Sequence, residues 1–218
     1  MILFGKKDQP SRNAYAVVTG AGSGIGRSFA VELAKRGGSV VCADINLEAA
    51  EETVKLIEQL GQKAFAVQCD VGQAEQVQTL ADQAEQLLDH PVTLIINNAG
   101  VGLGGKFDEM SLEDWKWCMH VNLWGVIHGC HAFVPKFKKL GYGAIINVAS
   151  AASYTAAPEM SVYNVTKAGV LALSEPFQPS FANSILKSMY FARLWCQPIS
   201  LKMVVFRGVI PSLQTMHS

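Results

Sequence analysis

The chain has 218 residues, of which 50% are apolar and 17% are charged, so its composition is typical of a globular protein. The 18 basic and 18 acidic residues cancel, and this balance argues against binding to nucleic acid or to an anionic membrane surface. The five cysteines form no CxxC pair, and no segment has signal-peptide character or the ~20 apolar residues of a membrane span, so we expect a reduced, cytoplasmic protein.

Short apolar segments alternate along the chain with segments whose apolar residues recur at helical spacing. The predicted strands cover residues 15–22, 39–44, 63–71, 92–100 and 143–150. The predicted helices cover residues 25–37, 46–61, 73–88 and 111–140, and a last helix begins at Ser161. Because the strands are continuous apolar runs joined by short connections, the pattern predicts an α/β fold with a doubly wound parallel sheet, in a single domain over residues 12–175.

A glycine-rich loop follows the first predicted strand, with the sequence TGAGSGIG at residues 19–26. Its glycines allow a tight turn and a close approach of the backbone to a pyrophosphate, and the helix that follows offers N–H groups to an anion. Asp44 ends the second strand, where a carboxylate can accept the ribose hydroxyls and would repel a 2′-phosphate. Ser23 and Arg27 lie in or beside the loop, but no cation is clearly placed for a 2′-phosphate, so the sequence favours NAD over NADP. A glycine turn followed by a surface aspartate is the structural alternative.

Further motifs follow in order, and they are CDV (69–71), NNAG (97–100), VNLWG (121–125), and Ser150 followed by YNVTK (163–167). Together with the glycine loop they make the chain resemble the short-chain dehydrogenase/reductase family over residues 12–175. A YxxxK motif alone is common, but this order and spacing is specific. The resemblance implies a Rossmann-like fold and an NAD(P)-dependent oxidoreductase acting on an alcohol or ketone.

The resemblance also implies, position by position, a cofactor site and a catalytic tetrad. The cofactor positions are Gly20, Ser23, Gly24, Ile25, Gly26, Asp44, Asp70, Val71, Asn97, Ala99, Gly100, Tyr163 and Lys167. Asp44 would hold the adenosine ribose, and Asp70 and Val71 would border the adenine. The catalytic positions are Asn122, Ser150, Tyr163 and Lys167.

These residue types suit the removal of a proton from an alcohol. A free tyrosine phenol, with a pKa of about 10, is a poor base near neutral pH. Lys167 lies four residues after Tyr163 and hence on the same helix face, so its ammonium and the positive nicotinamide ring would favour the phenolate. Ser150 would bind the substrate oxygen, and the family position of Asn122 helps to seat a water that connects Lys167 to solvent. Each residue alone is more often structural, but the set indicates acid–base catalysis.

Two other functions stay open at this point. One is a catalytically impaired protein that binds only a dinucleotide or a partner, and the other is an NADPH-linked reductase of acyl or quinone-like carbonyls. A metal site is not expected, because the HGCH segment (His128, Cys130 and His131) has no second ligand pair spaced to complete it.

Three tryptophans, Trp115, Trp117 and Trp124, are expected to pack the long helix or a subunit seam. In the family, this helix and the tyrosine-bearing helix form subunit contacts. The resemblance therefore implies a homodimer or a homotetramer.

Residues 176–218 form an atypical tail that departs from the family pattern. Pro176 and Pro179 interrupt the helix, and although residues 200–210 suit a strand, the family's Pro-Gly segment and substrate loop are missing. We therefore expect missing C-terminal strands, an open sheet edge, weak or absent turnover and a tendency to aggregate. Residues 179–207 can be encoded with one choice among their permitted codons and then translated from the third base of the Pro179 codon. The sequence obtained in this shifted frame resembles the missing family segments. We hypothesise a shift of reading frame near residue 176, which sequencing of the gene across codons 170–185 would test.

Overall fold

Six parallel strands form the centre of the fold, which a computed structural model describes for residues 10–175 and, as backbone, for residues 185–191. The strands are β1 Tyr15–Thr19, β2 Ser39–Asp44, β3 Ala64–Gln68, β4 Leu94–Asn97, β5 Tyr142–Val148 and β6 Ile185–Phe191. Their order across the sheet is β3-β2-β1-β4-β5-β6, which confirms the doubly wound parallel sheet. The strand order reverses between β1 and β4, and ligands of such sheets bind outside the carboxyl ends of the strands at this point.

Helices cover both faces of the sheet, as continuous apolar strands require. They are α1 Gly24–Lys35, α2 Leu47–Glu58, α3 Ala74–Leu88, α4 Leu112–Met119, α5 Gly125–Leu140 and α6 Ser161–Ser174. Successive side chains of β1 serve opposite faces, because Val17 packs in the core with α3, α5 and α6, whereas Val18 packs in the core with α1 and α2. Among the described residues, no helix has the length and apolar character needed to span a membrane.

The long helix predicted over residues 111–140 is interrupted in its middle. α4 ends at Met119, a π-helical turn follows at His120–Trp124, and α5 begins at Gly125. Such turns are frequent at functional sites. Here the turn places Asn122 in the fully buried interior. Apolar periodicity does not register a change of helical pitch over one turn, so the sequence predicted an unbroken helix.

The sheet contains a strand that the sequence did not predict. β6 runs parallel to β5, with Ile185 opposite Tyr142 and Phe191 opposite Val148, so the expectation that every strand after β5 is missing was wrong. Its sequence, ILKSMYF, follows two prolines and does not alternate strictly between apolar and polar residues, so no strand pattern was evident. The strand predicted over residues 200–210 lies outside the described residues, and so does most of the tail on which the frameshift hypothesis rests.

Candidate active site

The glycine loop lies at the carboxyl end of β1 and leads directly into α1. Gly20 has a φ angle of +64°, a left-handed conformation that favours glycine. A Cβ on Gly20 would come 2.8 Å from the Cα of Ala99, and a Cβ on Gly26 would overlap the carbonyl oxygen of Gly20. The loop thus has no room for side chains at these positions, and its bare backbone fits the close approach of a pyrophosphate.

The first turn of α1 completes this loop. Ser23 is the extended N-cap residue, and its hydroxyl makes no capping hydrogen bond to the helix. Gly24 has a φ angle of +52°, and Ile25 packs on the core that lies beneath α1 and α2. The positive end of the α1 dipole therefore adjoins the glycine loop, which is the arrangement that binds phosphate at helix N-termini.

Side chains from neighbouring elements hold the glycine loop in place. The Asp44 carboxylate accepts hydrogen bonds from the N–H of Gly22 at 2.8 Å and from the N–H of Asn46 at 3.0 Å. On α2, the fully buried Thr53 hydroxyl donates to the carbonyl of Ala21 at 2.8 Å. The predicted ribose-binding carboxylate is thus fixed against the loop in which the pyrophosphate would lie.

Arg27 joins the same arrangement from α1. Its Nε donates to the Thr53 hydroxyl at 3.0 Å, and a terminal nitrogen contacts the carbonyl of Gly22 and the carboxylate of Glu52, the latter at 2.9 Å. The guanidinium is therefore engaged between the loop and α2. The sequence left the role of Arg27 open and missed Thr53, for which the available signal was a threonine on the otherwise apolar face of α2.

The segment predicted to border the adenine follows β3. The Asp70 carboxylate accepts a hydrogen bond from the N–H of Gly72 at 2.9 Å, and the N–H of Asp70 donates to the Gln76 side chain at 2.8 Å. A cavity of about 530 Å³ opens beside Asp70. Its lining contains the carboxylates of Asp70 and Glu75, and among the described residues it contains no lysine or arginine.

The NNAG segment ties β4 to the glycine loop. The Thr19 hydroxyl accepts hydrogen bonds from the N–H groups of Asn98 and Ala99, at 3.0 and 3.1 Å. The Asn98 side chain in turn donates to the carbonyls of Thr19 and Gly20, at 2.9 and 3.2 Å. Asn98, to which the sequence assigned no role, therefore connects two predicted cofactor segments.

Asn97 directs its side chain into the buried core instead. Its Nδ2 donates to the Asn147 side chain at 2.8 Å, and Asn147 donates to the Ser174 hydroxyl on α6 at 3.0 Å. Cys130 lies beside this chain, with its sulfur 3.7 Å from Oδ1 of Asn147. These four buried residues connect β4, β5, α5 and α6. A direct contact of Asn97 with a cofactor stays a prediction.

Gly100 lies where the predicted cofactor wall meets the predicted tetrad. A Cβ on Gly100 would lie 3.2 Å from Oδ1 of Asn122 and 3.5 Å from Nζ of Lys167. The next residue, Val101, holds the Asn122 amide in place: its N–H donates to Oδ1 at 2.7 Å, and its carbonyl accepts from Nδ2 at 2.9 Å. The π turn, α6 and the end of the NNAG segment thus converge at one point.

Tyr163 and Lys167 lie one turn apart on α6, as their spacing predicted. Nζ of Lys167 is 5.8 Å from the centre of the Tyr163 ring and donates a hydrogen bond to the carbonyl of Val148 at 2.9 Å. The lysine therefore connects the phenol-bearing helix to the end of β5.

Ser150 follows β5 and caps the short 3-10 turn Ala151–Ser153. Its hydroxyl oxygen accepts a hydrogen bond from the N–H of Ala152 at 3.2 Å, a contact that leaves the hydroxyl proton able to donate to a substrate oxygen. The Ser153 hydroxyl donates to the carbonyl of Lys167 at 2.8 Å and joins this turn to α6. The sequence did not single out Ser153, whose only signal was its closeness to Ser150.

The Lys167 side chain has an unusual electrostatic environment because the residue is only 5% exposed. Burial lowers its pKa from 10.5 to about 8, since the ammonium loses its hydration, and the nearby Cys118 thiol opposes this shift. The lysine is therefore still largely charged near neutral pH. Because the ammonium is buried, its charge acts more strongly on a neighbouring phenol than it would in bulk solvent.

The HGCH segment lies on α5. His128 Nδ1 is 2.9 Å from the carbonyl of Val71, whereas His131 is exposed. Within the described part of the chain, no three His, Cys, Asp or Glu side chains are grouped so that they could hold a metal ion.

Comparison with known proteins assigns a family to this fold and site. The family described as short chain dehydrogenase matches residues 14–185. Since this match spans most of the 218 residues, the chain belongs to the short-chain dehydrogenase family and is an oxidoreductase by ancestry.

Two relatives and one solved structure illustrate the similarity. Cyclohexanol dehydrogenase of Acinetobacter sp. (strain SE19) is 38% identical over 172 residues, which are 78% of this chain and 68% of that protein. The 7alpha-hydroxysteroid dehydrogenase of Escherichia coli (strain K12) is 37% identical over 153 residues, which are 70% of this chain and 59% of that protein. A short-chain dehydrogenase/reductase from Burkholderia phymatum, solved in complex with NAD, has a TM-score of 0.80 at 36% identity, over 84% of this chain and 66% of that one.

Proposed function

We propose that the chain transfers a hydride between a nicotinamide dinucleotide and an alcohol or ketone, with Tyr163 as the acid and base. The observation that supports this most is the convergence at Gly100, where the Asn122 amide and the Lys167 ammonium meet the segment that is tied to the glycine loop. A backbone cradle that fits a pyrophosphate thus adjoins a buried cation that can activate a phenol.

The four predicted catalytic residues have distinct tasks in this proposal. When bound, the dinucleotide supplies the hydride acceptor, so the protein has to manage the proton and the oxygen. Tyr163 takes the proton of the alcohol, and Lys167 stabilises the phenolate that makes this possible. Ser150 donates a hydrogen bond to the substrate oxygen and holds it as the carbonyl forms. Asn122 keeps the π turn against Val101 and helps to seat the water through which Lys167 exchanges protons with solvent.

We infer that the cofactor is NAD and not NADP. The Asp44 carboxylate is fixed beside the glycine loop, where it would accept the ribose hydroxyls and repel a 2′-phosphate. Arg27, a cation in the first turn of α1, is engaged with Thr53, Gly22 and Glu52. The cavity beside Asp70 adds two carboxylates, and the described residues that line it include no cation.

We further propose that the substrate is a secondary alcohol on a saturated ring, or the corresponding ketone. Two relatives are named for cyclohexanol and for a 7alpha-hydroxysteroid, and both names describe a hydroxyl on such a ring. The chain spans 68% and 59% of these two relatives, so its activity as a whole protein is part of the proposal.

The exposed apolar surface of α4 and the π turn supports a homodimer or homotetramer. A groove of about 390 Å³ is lined mainly by Leu112, Trp115, Met119 and Trp124. Trp117 and Trp124 are 48% and 49% exposed, and large apolar patches of this kind mark interaction surfaces. Light scattering should therefore give a dimer or tetramer for the wild type and a smaller species for Trp124→Glu. A wild type that is monomeric at high concentration would refute this assembly.

The central test is an assay of the purified full-length chain, in which the formation of NADH from NAD is followed by absorbance. Three alcohols are tested separately as the second substrate: cyclohexanol, a 7alpha-hydroxysteroid and an open-chain secondary alcohol. Tyr163→Phe is the inactive variant, and Tyr142→Phe, at the amino end of β5, is its matched control. Turnover by the wild type and by Tyr142→Phe alone would support the proposal. NAD binding without turnover would instead indicate a binding protein, and faster reaction with NADPH and an acyl or quinone-like carbonyl would contradict the cofactor and substrate assigned above.

A further inference from the structure

α5 makes a hydrogen bond to the segment that is expected to border the adenine. Nδ1 of His128 lies 2.9 Å from the carbonyl oxygen of Val71. Because a carbonyl oxygen can only accept, Nδ1 carries the hydrogen and the histidine is the donor. The bond therefore connects α5 to the loop that follows β3, across a large separation in sequence.

Two packing contacts act on the same loop. A Cβ on Gly125 would come 2.7 Å from Cγ2 of Val71, so the helix backbone lies directly against that side chain. A Cβ on Gly72 would overlap the ring of His120, so this ring lies against the loop backbone. Val71 and Gly72 are thus in contact with residues of one helical segment, from the π turn into α5.

We propose that His128 is a positioning residue for the adenine end of the cofactor site, an inference that rests on the dinucleotide binding proposed above. The bond to Val71 fixes the loop, and the Asp70 carboxylate is fixed with it because it accepts the N–H of Gly72 at 2.9 Å. Trp124 packs beside the His128 ring, with a centroid distance of 5.8 Å, and restricts its movement.

The same helical segment presents Asn122 to the catalytic end of the site. One continuous segment therefore positions groups at both ends of the dinucleotide. A defect at His128 should affect only the adenine end, because Asn122 has its own hydrogen bonds to Val101.

His128→Leu removes the donor and keeps a side chain of similar bulk. We expect this variant to bind ADP-ribose about three- to tenfold more weakly than the wild type, the usual effect of one lost positioning hydrogen bond. Reduced nicotinamide mononucleotide has no adenine, so its affinity should stay within about twofold. His128→Asn keeps an N–H donor and should restore most of the ADP-ribose affinity. His131→Leu, exposed on the same helix, is the matched control.

Calorimetric titration with ADP-ribose and fluorescence titration with reduced nicotinamide mononucleotide measure these affinities on the full-length chain without turnover. Unchanged ADP-ribose affinity in His128→Leu would overturn the positioning role. An equal loss of affinity for both ligands would also overturn it. Should His128→Leu fail to fold, Gly125→Ala gives a second test. Alanine favours the helix, while its Cβ displaces Val71. This variant should lower the affinity for ADP-ribose and not that for reduced nicotinamide mononucleotide. A wild type that binds neither ligand would refute dinucleotide binding itself, and the role of His128 with it.

Discussion

The two ends of the proposed cofactor site are held together in different ways. At the glycine loop, side chains from neighbouring elements make hydrogen bonds to backbone groups of the loop, and two of them, the Asp44 carboxylate and the Arg27 guanidinium, are partly exposed to solvent. At the catalytic end, side chains from separate elements meet, and Asn122 and Lys167 are buried. The loop end therefore resembles a preformed binding surface, whereas the catalytic end keeps a cation in a place where its charge is disfavoured. Substitutions at the two ends should accordingly change different observables.

The largest effect is expected for Tyr163→Phe, which removes the proposed proton acceptor and keeps the ring. The rate of turnover should fall by about 10²- to 10⁴-fold, the usual contribution of a general acid–base group. ADP-ribose affinity should stay within about twofold, because that ligand occupies the loop end. Steady-state kinetics and calorimetry measure the two quantities. An equal loss of turnover and of ADP-ribose affinity would contradict the proposed difference between the two ends of the site.

Lys167→Met tests the cost of the buried charge. The pKa of Lys167 is about 8 in the folded chain and has its ordinary value of 10.5 in the unfolded one. Between these values the unfolded chain binds more protons, so the free energy of unfolding of the wild type should rise with pH by up to about 3 kcal/mol. Below about pH 8 the full cost of burying the ammonium is present.

The Lys167→Met variant has no such group, so its stability relative to the wild type should decline by up to about 3 kcal/mol between about pH 7 and 11. Urea unfolding at several pH values measures this difference. Lys55→Met, on the exposed side of α2, provides the control and should track the wild type at every pH. A pH-independent difference for Lys167→Met would show that burial does not shift this lysine.

Asp44→Asn tests selectivity at the loop end. The amide oxygen can still accept a backbone N–H, while the charge that we propose to repel a 2′-phosphate is lost. The ratio of NADP affinity to NAD affinity should therefore rise by about 10- to 100-fold, in the range of one charged hydrogen bond. Asp89→Asn, exposed at the end of α3, is the matched control. An unchanged ratio would place the determinant of cofactor choice elsewhere.

Thr53→Val should have the smallest of these effects. The variant keeps the shape of the buried side chain and loses the hydrogen bonds to Ala21 and Arg27. We expect ADP-ribose to bind about three- to tenfold more weakly, with turnover at saturating NAD unchanged. Thr53→Ser, which retains the hydroxyl, should recover the affinity. A lower rate at saturation in Thr53→Val would mean that the two ends are more strongly coupled than their structures indicate.

The sequence predicted the elements that local patterns determine. The glycine loop could be placed because strand, glycines and helix adjoin in the chain, and Tyr163 and Lys167 could be placed together because four residues make about one helical turn. Partners that are distant in sequence were not predictable, among them Val101 for Asn122 and Val148 for Lys167. Their residue types were visible, but the pairings depend on how separate elements pack.

Two further differences have physical reasons. The strand predicted over residues 92–100 is shorter in the structure, so the sequence could not tell that Asn97 faces the core while Asn98 faces the glycine loop. β6 owes its assignment to pairing with β5, because its own sequence has no clear strand periodicity. Where pairing with a neighbouring strand determines the conformation of a segment, the local sequence pattern does not predict it.

The strand order also has a consequence for how the chain is made. β1, β2 and β3 lie side by side, and β4 is the first strand of the other half of the sheet. During synthesis, which proceeds at about 5–20 residues per second, the first three strands leave the ribosome before β4 does. The glycine loop and Asp44 are thus available to pair while the catalytic residues are still to be translated. The chain makes the parts that would hold a nucleotide first, and a nucleotide that bound them would stabilise their folded state by mass action.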